Sequence, residues 1–164
     1  MMKNKPRSRG LKLKMTVEVL NETDFDIDVS QISNLASFAI NRMKVHPQAD
    51  LSVIFVDEYS IAELNKRWMD ETGPTDVLSF PMDELRPGDS SEAIADALLG
   101  DIVICPQIAQ TQAISANKSV RDEINLLLVH GFLHLLGFDH AEPEEHKRMF
   151  ELQDQILADW GVAS

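Results

Sequence analysis

The chain has 164 residues, a formal charge of −12 and one cysteine, which is enough for a single domain that buries a core without disulfide or metal staples. No apolar run approaches the roughly 20 residues of a membrane span, and Met1–Lys14 lacks the apolar core of a signal peptide, so a cytoplasmic protein with no membrane partner is expected. The charge is uneven: residues 1–14 hold Lys3, Lys5, Arg7, Arg9, Lys12 and Lys14 and no acid, which leaves residues 15–164 with nine basic against 27 acidic groups. The leader is read as a disordered segment, or a start misassigned ahead of Met15, with no functional role. Residues 15–164 are read as one domain whose surface repels polyanions on average.

In chain order, Thr16–Leu20 alternates as a short strand, and Val29, Ile32, Leu35, Ala39, Ile40 and Met43 recur at helical spacing up to Lys44. Leu51–Val56 reads as a strand. Ser60 and Glu63 form a capping box that opens a helix running to Trp68 or Met69. Gly73-Pro74 breaks the chain, Val77–Phe80 reads as a strand stopped by Pro81, and residues 82–98 form an acidic surface loop. Gly100–Ile104 is the next strand, ending before Cys105, a lone thiol expected to be buried and structural. Pro106 opens a helix to about Ile114. Ser119 caps another whose apolar residues Ile124, Leu127, Leu128 and Leu135 anchor it in the core. A last helix runs from about Pro143 to Trp160 and stops at Gly161. This mixture predicts an α+β fold in which a small mixed sheet is packed with about five helices.

Three of the five histidines fall in eleven residues, His130, His134 and His140, at H-x3-H-x5-H spacing. His130 and His134 are one helical turn apart and share a face, so both imidazoles can reach one ion at roughly 2.0–2.1 Å. Gly137 is placed to end the helix in a left-handed conformation and turn the chain back, so that His140 closes a three-nitrogen site. Three protein ligands leave a fourth position open, as in catalytic zinc sites. One zinc ion per chain is expected, although other divalent transition metals also suit nitrogen ligands. The spacing matches the H-E-x-x-H-x-x-G-x-x-H motif of the metzincin peptidases except at one place: Gly131 stands where those enzymes carry the glutamate that activates water.

The histidine string His130, Gly131, Leu133, His134, Leu135, Gly137, Phe138, Asp139, His140 and the segment Pro74-Thr75-Asp76-Val77-Leu78-Ser79-Phe80-Pro81, with Gly100-Asp101-Ile102 between them, resemble the YbeY family of bacterial endoribonucleases. The resemblance extends from about Leu51 to the C-terminal helix. It implies a catalytic domain over residues 15–164, with an α+β sandwich similar to metal-dependent peptidases around the zinc helix. It also implies zinc-dependent hydrolysis of single-stranded regions in ribosomal RNA precursors, small-subunit 3′-end maturation and ribosome quality control. The partners implied are single-stranded RNA and the ribosome or its proteins, and no DNA. Zinc ligation carries over to His130, His134 and His140. Many members have an arginine directly after the aromatic residue preceding the Pro-Thr segment; here Trp68 is followed by Met69.

The ion can activate water, polarise a phosphoryl oxygen or stabilise the leaving oxygen. Asp139 is a candidate general base or a hydrogen-bond acceptor that orients a ligand imidazole. Ser79 and Asp76 are candidates for the substrate groove, or for capping and loop hydrogen bonds. Trp68, Phe80 and Phe138 can stack on unpaired bases or pack in the core. His46 and His146 read as surface residues, and Glu142–Arg148 as a solvated helix face. Two other readings stand beside the ribonuclease: a zinc metallopeptidase-like hydrolase, against which Gly131 argues, and a non-catalytic, zinc-stabilised ribosome assembly factor.

Overall fold

The computed structural model describes residues 15–45, 49–82, 99–138 and 142–163. The elements are β1 (Thr16–Asn21), α1 (Val29–Arg42), β2 (Asp50–Phe55), α2 (Glu58–Met69), β3 (Val77–Pro81), β4 (Leu99–Ile104), α3 (Pro106–Ala116), α4 (Val120–Leu135) and α5 (Pro143–Ala163). The four strands form one sheet in the order β1-β2-β4-β3. The first three are parallel, and β3 runs antiparallel along the β4 edge with Ser79 opposite Ile102. This is the α+β architecture expected, with a mixed sheet and five helices among the described residues.

Alternation along the strands divides the sheet into two apolar faces. Leu51, Val53, Phe55, Ile102 and Ile104 face the main core, which α1, α4 and α5 complete with Leu35, Ile40, Phe132, Leu133, Met149 and Ile156. On the other face Leu78 and Val103 meet Ile61 of α2, and Cys105 is buried among them. Burial pushes the Cys105 thiol above its ordinary value, as suits a structural group.

Helix α4 lies in the middle of the core, with Leu127, Leu128, Val129, Phe132, Leu133 and Leu135 all buried. Ser119 accepts from the Asp122 N–H at its start, as expected. At its end Gly137 has φ of 95°, the Gly137 N–H reaches the His134 carbonyl at 2.9 Å, and the Phe138 N–H reaches that of Leu133 at 3.1 Å. Those two bonds are a Schellman motif, for which a glycine at this position has no Cβ penalty.

Two boundaries differ from expectation. Helix α2 starts at Glu58, because its N-cap is Asp57 and not Ser60: the Asp57 carboxylate accepts from the Ser60 N–H at 2.8 Å. That hydrogen bond holds the Asp57 carboxyl below the usual carboxylate value. The last helix passes through Gly161 to Ala163; an added Cβ at Gly161 would meet nothing, so this glycine neither breaks the helix nor fills a tight place. The leader 1–14, His46 and residues 83–98 of the expected acidic loop lie outside the described residues.

Candidate active site

The C-terminal half of α4 faces the edge strand β3 across an open cavity of about 470 Å³, lined by Met69, Thr75, Asp76, Val77, Leu78, Ser79, Pro81, His130 and His134. The one-turn spacing does what the sequence implies. The Nε2 atoms of His130 and His134 are 3.1 Å apart, with the rings edge to face at a centroid distance of 4.7 Å. Two facing lone pairs at that separation repel, so a proton or a cation belongs between them. Two nitrogens held at roughly 2.0–2.1 Å on one tetrahedral ion stand about 3.3 Å apart, close to the separation found, so the pair fits a metal.

His140 and Asp139 lie outside the described residues, and among the described residues no group of three or more His, Cys, Asp or Glu side chains is gathered to hold an ion. An acceptor that orients a ligand is nevertheless present. Gln153 of α5, only 3% exposed, places its Oε1 2.8 Å from His130 Nδ1. With that oxygen accepting from Nδ1–H, the His130 ring is fixed with its Nε2 lone pair toward the cavity. Gln153 was not singled out from the sequence. Its signal was one polar residue in the buried stripe Met149, Gln153, Ile156, but the partner lies 23 residues away. Phe150 was missed for the same reason; its ring sits 5.6 Å from that of His130 and 4.7 Å from that of His146.

Gly131 has a steric reason to be glycine. A Cβ there would stand 2.9 Å from Ile102 Cγ2, 3.1 Å from Ser79 Oγ and 3.3 Å from Val77 Cγ2. The Ser79 hydroxyl donates to the Gly131 carbonyl at 2.9 Å, which ties β3 to α4 at the level of the histidines. The position that bears glutamate in metzincin peptidases is closed against the sheet here.

Asp76 and Ser79 both line the cavity, and both also have local structural partners. The Asp76 carboxylate accepts from the Val77 N–H at 2.8 Å, the Thr75 hydroxyl at 3.3 Å and the Gln112 amide at 3.2 Å. Its carbonyl accepts from the Cys105 N–H at 3.0 Å. Trp68 is 62% exposed, beside Met69 in the cavity wall. Phe138 is buried, with the Arg148 guanidinium 5.2 Å over its ring, so it is core and not a stacking platform. Phe80 packs against the α2-side cluster, the core alternative of its two readings. His146 is exposed on α5.

Comparison with known proteins agrees with the motifs. The family model described as Endoribonuclease YbeY matches residues 18–161. An endoribonuclease YbeY from Thermobifida fusca is 53% identical over 146 residues, covering 89% of this chain and 94% of its own length. One from Rhodococcus jostii is 54% identical over 149 residues, covering 89% and 82%. Among solved structures, the solution structure of TM1509 from Thermotoga maritima superposes with a TM-score of 0.60 at 28% identity, covering 90% of this chain and 93% of that one. With its edge strand, paired histidines and nearly full-length relatives, the chain belongs to the endoribonuclease YbeY family.

Proposed function

We propose that this protein is a metal-dependent endoribonuclease, with zinc as its ion, that cuts single-stranded regions of ribosomal RNA precursors in the cytoplasm during small-subunit 3′-end maturation and ribosome quality control. The observation that carries the reading is the pair of Nε2 atoms 3.1 Å apart, opening into a cavity walled by the family-like β3 segment. His130, His134 and, by its motif position, His140 would hold the ion. A zinc ion bound there supplies a Lewis acid for the phosphodiester and lowers the pKa of water. Gln153 orients His130, and the Ser79 bond to Gly131 keeps the strand against the helix. A cavity of about 470 Å³ is of the size that takes a small ligand or one unit of a flexible chain, which suits an unpaired strand.

The closed position at Gly131 speaks against a peptidase, because the general base of that chemistry has no room there. The test is cleavage of a single-stranded ribosomal RNA fragment by zinc-loaded protein, with and without chelator, beside folded His134→Ala. Chelator-sensitive cutting absent from the variant is expected. No cutting by folded, zinc-loaded protein would overturn the enzymatic reading in favour of a zinc-stabilised ribosome assembly factor.

A further inference from the structure

The body of this protein is strongly acidic, so an RNA strand needs a local path of positive charge to approach the cavity. Eight Lys and Arg side chains are among the described residues. Arg42, Lys118 and Arg121 are engaged with Asp159, Glu123 and Asp28. Four of the other five form two adjacent pairs: Lys66-Arg67 in the last turn of α2 and Lys147-Arg148 on α5. All four are exposed, and none makes an ion pair among the described residues.

Each pair is next in sequence to an exposed ring. Arg67 is followed by Trp68, whose neighbour Met69 is in the cavity wall. Lys147 is preceded by His146, stacked on Phe150, which in turn touches the His130 ring. A helix-end account covers only the first pair: cations favour a helix C-terminus, whereas Lys147 and Arg148 lie near the N-terminal end of α5. Arg148 is also held in place over Phe138.

We infer that these two cation and ring clusters, Lys66-Arg67-Trp68 and His146-Lys147-Arg148, are the RNA track of this protein, in which single-stranded RNA stacks unpaired bases on Trp68 and His146 while the four cations take phosphates on either side of the cavity. Rings that accept any base and cations that follow the backbone are the pattern of single-strand binding without sequence preference. The inference rests on the endoribonuclease reading and adds how the substrate is held.

The test is binding of a fluorescent single-stranded RNA oligonucleotide to the full chain in chelator, at several salt concentrations, with zinc-dependent cleavage of the same RNA scored in parallel. Four phosphate contacts to a single strand give a slope of log affinity against log salt of about −2.8. K66A/R67A and K147A/R148A should each lower it by about 1.4 and weaken binding about 25-fold at 0.1 M salt. Trp68→Ala should weaken binding roughly 10-fold with the slope unchanged. K44A/R121A, which removes the same charge elsewhere, should leave the slope as it is. Slopes unmoved in both cluster variants, or moved equally by K44A/R121A, would overturn the track; continued chelator-sensitive cutting would then leave the ribonuclease reading standing. Wild-type protein that neither binds nor cuts the RNA would overturn both.

Discussion

At the scale of single residues, Gln153 is the clearest case of a side chain whose role comes from packing. Its amide is buried and spends its oxygen on His130, an arrangement that fixes a ligand imidazole in one tautomer and orientation. Gln153→Leu, which keeps the bulk and removes the acceptor, should weaken zinc binding about 10–100-fold in competition with a chromophoric chelator, while Gln153→Glu should retain it. Equal affinity in all three proteins would show that the amide does not support the ligand. His130, His134 and Gly137 were legible because their relation is local: a four-residue step on a helix and a glycine three residues beyond. Gln153 was not, since nothing within its own helix says which ring it meets. Phe138 was ambiguous for the complementary reason that an aromatic beside a metal motif suits either a base or the core, and only its burial decides.

At the scale of elements, the meeting of α4 with β3 and β4 sets the geometry of the cavity. Gly131→Ala should destabilise the fold by about 1–2 kcal/mol in chemical denaturation, because overpacking costs about 1–3 kcal/mol while alanine returns at most about 1 kcal/mol of helix propensity. The obstacle is Ile102 Cγ2, a branch close to the backbone of a fully buried residue, which cannot swing aside as a long side chain would. A stability equal to wild type would mean that strand and helix separate easily. Helix α2 gives a second prediction. The Ser60 N–H holds the Asp57 carboxyl below its ordinary value in the folded protein, so its contribution is complete above the ordinary value and fades as pH falls through the lowered one. Asp57→Ala should therefore lower Tm at neutral pH, and the gap to wild type should close under acid. A gap that persisted below the folded pKa would assign it to something other than the charged cap. The sequence pointed to Ser60 as that cap because the Ser60–Glu63 spacing mimics a capping box; Asp57, three residues earlier, instead accepts from the Ser60 N–H, which puts Ser60 inside the helix.

At the scale of the whole molecule, the core is continuous through α1, α4, α5 and one sheet face, and only the half-buried His130 and His134 turn from α4 toward the cavity. A core built this way does not need an ion as a staple, so if zinc binds at the histidine pair, its removal should lower Tm by the binding contribution alone while leaving one cooperative transition. Loss of that transition in chelator would make the metal a structural staple. The sequence by itself determined the family, from motifs in several segments, and the helix and strand types, the helical face shared by His130 and His134 and the turn at Gly137, because each of these rests on spacing within one short segment, where backbone geometry dictates which side chains are neighbours. Only the tertiary structure decided that β3 lies antiparallel at the sheet edge, that the place of a peptidase glutamate is closed against Ile102 and Ser79, and that Gln153 meets His130. Those are contacts between segments far apart in the chain, and they depend on how closely the packed faces approach, a quantity that no local periodicity carries.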